Sequence, residues 1–253
     1  MTSSSSSLIT DTNISKPKAL LFDLDGTLMD TAPDFFPTVN TLRKEHNLPP
    51  LADDVIRLQV SNGGRALTRL ALDIPLAAVD VDNASDGDTD ELFFEQQRQR
   101  LLDLYVEHIA EKSDLFPGII ELLETCKQHS LPWGIVTNKP RLYTEILLER
   151  LAEQLPILAH CSIVVCPDDV ERTKPFPDPL YLAADTLKIP AQDCWYLGDH
   201  IRDIEAGNAA NMFTIATLYG YIEPNDKPEN WQANIMVDSA EEITQLLTAS
   251  LST

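Results

Sequence analysis

The sequence is short of positive charge. Its 253 residues carry 19 Lys and Arg against 40 Asp and Glu, a formal net charge of −21. Binding nucleic acid or an anionic membrane needs a clustered basic surface, so neither partner is expected. The same deficit constrains any anionic small molecule, which must meet a local knot of positive charge against a repulsive background. Long apolar runs are also missing. No stretch approaches the roughly 18 residues of a membrane span. The N-terminal MTSSSSSLITDTNISKPK has neither a basic n-region nor an apolar h-region, so it is not expected to be a signal peptide. There is no G-x-G-x-x-G and no G-x-x-x-x-G-K-S/T, which leaves dinucleotide and P-loop sites without support. Cys126, Cys161, Cys166 and Cys194 form no C-x-x-C pair and no zinc spacing. They read as small buried residues of a reducing compartment. The expectation is a cytoplasmic protein whose residues 1–17 are a disordered polar tail.

What is present is a set of short apolar runs ending in polar residues: ALLFDLD (19–25), PWGIVTN (132–138), CSIVVC (161–166), CWYLGD (194–199), MFTIATL (212–218) and NIMVD (234–238). Most are continuously apolar, as strands buried on both faces of a parallel sheet are. Helical patterns lie between them, at 119–129, 142–155, 178–189 and 201–211. Strand alternating with helix predicts an α/β fold with a doubly wound, Rossmann-like parallel sheet.

Residues 31–113 break the alternation. They hold helical signals and no convincing central strand, and predict an all-helical cap inserted into a core made of 18–30 and 114–253. In ELFFEQQRQRLLDLYVEHIAEK, Phe93, Leu101, Leu104, Tyr105 and Ile109 are expected on one face. The acidic VDVDNASDGDT (79–89) lacks the full calcium-loop pattern and reads as a solvated loop.

In an open α/β sheet, ligands bind beyond the carboxyl ends of the strands. The first run delivers Asp23, Asp25 and Thr27 there. The second delivers Thr137, Asn138 and Lys139; the third Asp168, Asp169 and, later, Lys174; the fourth Asp199 and Asp203. Each has a plain alternative. Asp25-Gly26 resembles a hairpin corner, and an Asp after a strand is often a helix cap. The hairpin reading fails because no partner strand begins within a turn's reach. Three carboxylates at one sheet end repel one another unless a cation sits among them, and hard oxygen ligands suit Mg²⁺. A hydroxyl such as Thr137 and an ammonium such as Lys174 can hold the oxygens of a transferring phosphoryl group. A carboxylate is ionised at neutral pH and can attack phosphorus without an activating base. The spacing of two between Asp23 and Asp25 puts both on one side of the strand, so one can attack while the other handles the proton.

FDLDGTLMD, VTN, the lysine of KPFPDP and GDHIRD together resemble the four motifs of the haloacid dehalogenase-like hydrolases, in order and across nearly the whole chain. The resemblance implies that Asp23 is the nucleophile and forms an aspartyl-phosphate, and that Asp25 is the general acid and base. It implies Thr137, Asn138 and Lys174 as phosphate ligands. Mg²⁺ would be held by Asp23, the carbonyl of Asp25 and Asp199, with Asp203 in support. The helical insertion is similar to the cap of the phosphoglycolate phosphatase-like group. An aspartate at 25 argues against a dehalogenase, whose leaving halide needs no proton. DTAPDF, VVCPDDV and YGYIEPNDKPENWQANIMVD resemble the phosphatases of that group that act on N-acetylmuramic acid 6-phosphate, with 2-phosphoglycolate as the alternative substrate. Both substrates are small anionic phosphorylated metabolites. In the cap, SNGGRALT (61–68) predicts that Gly63, Gly64 and Arg65, just before a helix, contact the substrate's carboxylate. A phospho-accepting receiver is the distant alternative; it lacks both the insertion and D-x-D-G-T. The chain is expected to be a monomer or weak dimer.

Overall fold

Alternate residues of the first apolar run go to opposite sides of a sheet. Leu20 and Phe22 enter one apolar cluster, Ala19 and Leu21 the other. In the computed structural model, which describes residues 16–75 and 87–252, this run is strand β1 (Ala19–Phe22). A two-residue strand β2 (Met29–Asp30) follows, then α1 (Ala32–Glu45), α2 (Asp53–Arg57), α3 (Gly63–Ala71) and α4 (Gly87–His108). The chain returns through β3 (Asp114–Leu115), which pairs antiparallel with β2. It continues as α5 (Ile119–Gln128), β4 (Trp133–Val136), α6 (Arg141–Leu151), β5 (Cys161–Val165), α7 (Asp178–Leu187) and β6 (Cys194–Gly198). The last elements are α8 (Ile201–Ala209), β7 (Phe213–Thr217), β8 (Ile235–Val237) and α9 (Ala240–Leu251).

Six strands form one parallel sheet in the order β5-β4-β1-β6-β7-β8. Residues of α5, α6 and α9 share an apolar cluster with Leu20, Phe22, Trp133 and Trp195. Residues of α7 and α8 pack with Leu21 and Tyr196 in the other. Helices on both faces make the sheet doubly wound, as the alternation predicted. The inner strands β1, β4 and β6 are wholly buried, whereas β5 and β8 are only partly so. Those two are the sheet edges, where fewer neighbours cover a strand. The four cysteines are free; Cys126, Cys166 and Cys194 are buried and Cys161 is half-buried.

The segment between β2 and β3 is helical among the described residues. Phe35 of α1 stacks on Tyr105 of α4, with centroids 4.1 Å apart. Leu101, Leu104, Tyr105 and Ile109 are buried as expected, but Phe93 is exposed and Phe94 is buried instead. Phe94 precedes Leu101 and Tyr105 by seven and eleven residues, both close to whole helical turns, whereas Phe93 has that spacing to Leu104 alone. The buried Asp34 ties the return to the departure, accepting from Ala110 N and Lys112 N at 2.7 Å and from Ser113 Oγ at 2.5 Å. Most of the proposed tail and most of the acidic segment 79–89 lie outside the described residues. The helix α9 lies outside the four helical stretches that the sequence pattern predicts. Its signal is Ser239, whose hydroxyl caps it by accepting from Glu242 N at 3.4 Å.

Candidate active site

β1 stops at Phe22, and the next residues sit at the carboxyl end of the sheet. Asp23 N still donates to Leu197 O at 2.8 Å, which holds Asp23 beside the end of β6. Its carboxylate is buried. Lys174 reaches it from the loop before α7, with Nζ 2.8 Å from Asp23 Oδ1 and 2.7 Å from Asp203 Oδ1. The same ammonium donates to Val136 O and Tyr196 Oη, each at 2.9 Å. Asn138 Nδ2 donates to Lys174 O at 3.0 Å and so anchors that loop to the end of β4. Asp203 is fixed by His200 N at 3.1 Å and by Tyr196 Oη at 3.3 Å.

Asp199 is held from three directions. Thr27 Oγ1 donates at 3.1 Å, Tyr221 N at 2.8 Å, and Ser61 Oγ of the helical segment at 3.4 Å. Such crowding needs bare backbone alongside. Gly26 has φ +87°, and a Cβ there would lie 2.1 Å from Asp199 Oδ2. This explains the glycine of D-x-D-G-T in physical terms: it passes against the acid of another motif.

Asp23, Asp199 and Asp203 are buried, and one carboxylate oxygen from each lies within 4.8 Å of the other two. One ammonium is too little to offset three such charges. Burial pushes the Asp199 carboxyl up to about 8, with Asp23 and Asp203 adding repulsion. Burial likewise raises Asp23 to about 6, although Lys174 opposes it. Asp23 Oδ1 is paired with the Lys174 ammonium at 2.8 Å. An all-oxygen donor set and surplus negative charge fit a hard divalent cation.

Asp25 faces another environment. Its Oδ1 accepts from Thr31 Oγ1 at 2.5 Å and from Lys139 Nζ at 2.9 Å. Lys139 is buried, 4.8 Å from the Tyr105 ring centroid and 5.3 Å from that of Phe35. Burial works against its charge, but Asp25 and Tyr105 hold it above the ordinary lysine range. Sequence reasoning placed Lys139 at a strand end and gave it no role. The usable signal was its position two residues after Thr137, whose Oγ1 accepts from Lys139 N at 3.0 Å.

A cavity of about 360 Å³ opens above these groups. Asp23, Asp25, Thr137, Asn138, Lys139 and Lys174 line it from the sheet side, and Phe35, Val60, Ser61, Asn62, Leu67, Arg98, Leu102 and Tyr105 line it from the helical segment. Gly63, Gly64 and Arg65 also line it, but they form the first turn of α3 and do not precede it. The Arg65 guanidinium pairs with Glu91 at 3.0 Å and with Glu95. Asp168 and Asp169 do not join the floor; Arg141 takes both, through its backbone N–H and its guanidinium.

Residues 20–217 match the haloacid dehalogenase-like hydrolase family. The chain belongs to that family. It is 40% identical to an N-acetylmuramic acid 6-phosphate phosphatase of Pseudomonas aeruginosa, over 92% of this chain and 96% of that protein. It is 36% identical to a phosphoglycolate phosphatase of Xanthomonas campestris pv. campestris, over 88% of this chain and 92% of that protein. The fold is also that of a crystal structure of a predicted phosphoglycolate phosphatase from Haemophilus somnus. There the TM-score is 0.74 at 24% identity, covering 92% of this chain and 99% of the other. No helix among the described residues is long and apolar enough to cross a membrane.

Proposed function

We propose that the chain is a Mg²⁺-dependent phosphomonoesterase whose substrate is N-acetylmuramic acid 6-phosphate. The observation that carries the activity is Asp23, a buried strand-end carboxylate paired with Lys174 and open to the cavity two residues from Asp25. Asp23 attacks phosphorus, a new O–P bond forms, and the ester P–O bond breaks. Asp25 passes a proton to the leaving sugar alkoxide through Oδ2, the oxygen that Lys139 and Thr31 leave free. The resulting carboxylate then takes a proton from water, which attacks the aspartyl-phosphate and releases inorganic phosphate and Asp23. Lys174, Thr137 and Asn138 hold the phosphoryl oxygens. Asp23, Asp199 and the backbone carbonyl of Asp25 would hold the Mg²⁺, supported by Asp203. When bound, the ion supplies charge neutralisation for the carboxylates and the phosphoryl oxygens.

In this reading residues 18–30 and 114–253 carry the chemistry and 31–113 form the cap that encloses the leaving group. The substrate choice is supported by the 40% identical relative and by the size and lining of the cavity. A space of about 360 Å³ lined by both apolar and polar side chains suits an acylated amino sugar better than a two-carbon acid. The setting would be cytoplasmic cell-wall recycling. The test compares kcat/KM for N-acetylmuramic acid 6-phosphate and 2-phosphoglycolate in Mg²⁺ buffer. A preference for the amino sugar of about 100-fold or more supports the reading. The reverse preference assigns the chain to phosphoglycolate, and no turnover of any phosphoester removes the enzymatic reading altogether.

A further inference from the structure

The cavity lining contains five cationic side chains, and four of them are already neutralised. Lys174 faces Asp23 and Asp203 at 2.8 and 2.7 Å. Lys139 faces Asp25 at 2.9 Å. Arg65 pairs with Glu91 and Glu95, and Arg98 Nε pairs with Glu95 at 2.7 Å. The fifth, Arg202, stands in the first turn of α8 between Asp199 and Asp203 in sequence. Among the described residues it has no carboxylate partner. Its one protein acceptor is the backbone carbonyl of Ser61, reached by one N–H of Nη2, so Nε, Nη1 and the second Nη2 N–H are left, and with them one parallel pair of donors for another acceptor.

A guanidinium with spare, fork-shaped donors is matched to a carboxylate. It is also the cation in this cavity whose charge is not yet taken, in a protein of net charge −21 that repels an anion elsewhere. Ser61, which Arg202 holds, donates in turn to Asp199 at 3.4 Å. Arg202 therefore stands where the helical segment meets the sheet side.

We propose that Arg202 is the specificity-determining residue that reads the substrate's carboxylate, so that the enzyme selects phosphomonoesters carrying a second, carboxylate anion. This rests on the phosphatase reading of the same site. The carboxylate could be the lactyl group of an N-acetylmuramic acid phosphate or the acid of phosphoglycolate, and matched substrates separate the two.

The experiment measures kcat/KM for two pairs that differ in the carboxylate: N-acetylmuramic acid 6-phosphate with N-acetylglucosamine 6-phosphate, and 2-phosphoglycolate with ethyl phosphate. Each pair gives a discrimination ratio for the wild type, Arg202→Gln and Arg202→Lys. The expected result is a drop of about 10- to 100-fold in the ratio with Arg202→Gln, carried mainly by KM of the acid-bearing member. The pair whose ratio falls identifies the source of the carboxylate. Arg202→Lys keeps the charge without the fork and recovers part of the ratio. Equal losses on both members of each pair, in a folded variant, overturn the proposal and leave Arg202 as a support for Ser61. A wild type that does not discriminate within either pair overturns it too. A wild type that also fails on p-nitrophenyl phosphate instead overturns the phosphatase reading beneath it.

Discussion

The two walls of the cavity are built by opposite rules. On the sheet side, charged groups are buried and locked to partners far away in sequence: Thr27 to Asp199, Lys174 to Asp23, Asn138 to the Lys174 carbonyl. On the helical side, Phe35, Val60, Leu67, Leu102 and Tyr105 line the cavity beside Ser61, Asn62 and two arginines engaged in ion pairs, Arg65 being half exposed with Glu91. Fixed charge serves a reaction whose charge develops at one point. In the proposed reading the helical side serves recognition of the leaving group, and a change of side chain there should leave the reacting groups where they were. The difference predicts that damage to the two walls will differ in kind as well as in size.

The largest effect comes from the sheet side. Asp23→Asn removes the attacking oxygen anion and is expected to lower kcat by at least roughly 10⁴-fold in steady-state assays. It also removes one of three crowded carboxylates, so the metal-free variant should melt no lower than the wild type. A large fall in its melting temperature would mean that Asp23 is structural. Lys174→Met is the converse. It leaves Asp23 and Asp203 buried without their cation, a change that costs about 3–5 kcal/mol in denaturant unfolding. Activity should fall by about 10²- to 10³-fold even where the protein is folded. Adding Asp203→Asn to Lys174→Met should restore part of the stability and little of the activity.

Much of the sheet side was legible because few rules generate it. A period of two puts Asp23 and Asp25 on one side, and parallel strands bring their carboxyl ends to one edge, where Asp199, Asp203 and Thr137 arrive together. The mutual contact of Gly26 and Asp199 was not legible, since nothing local links positions 26 and 199. Lys139 was seen and left idle because its partner Asp25 lies on a different strand end and its aromatic cover comes from α1 and α4. The helical wall was least legible. Arg65 sits beside two glycines at a helix start and attracts attention, yet its charge belongs to glutamates of α4; Arg202 sits inside GDHIRD, where Asp199 and Asp203 overshadow it. Which arginine is spare depends on how α3 packs on α4, and a single sequence does not state that packing.

Metal binding gives an intermediate effect with a definite sign. Asp199 and Asp23 titrate near 8 and 6 when folded without metal, against an ordinary value of 3.8. The native state therefore binds more protons than the unfolded chain between about pH 4 and 8, and these two groups lower metal-free stability as pH rises through that window. A cation that needs both as carboxylates must displace those protons, so its affinity rises with pH. Calorimetric titration with Mg²⁺ should show Kd falling by about tenfold or more from pH 6 to 8, with proton release on binding. The increase in melting temperature produced by Mg²⁺ should grow over the same interval. A Kd independent of pH would show that the acid cluster is not the metal site.

The smallest effect tests the helical wall directly. Arg65→Ala deletes a guanidinium whose charge Glu91 and Glu95 already absorb, at an exposed site where ion pairs contribute little. It also uncovers the face of Phe94, over which the guanidinium lies at 4.8 Å. The expected outcome is a change of less than about twofold in kcat/KM for N-acetylmuramic acid 6-phosphate, and no change in discrimination against the carboxylate-free sugar phosphate. Arg65 and Arg202 thus form a paired test on one cavity, since both are arginines and both line it. A loss of discrimination with Arg65→Ala that matches Arg202→Gln would mean that Arg65 leaves its glutamates when substrate enters. The recognition side would then be assembled by the ligand, in contrast to a floor whose ion pairs and hydrogen bonds are made without one.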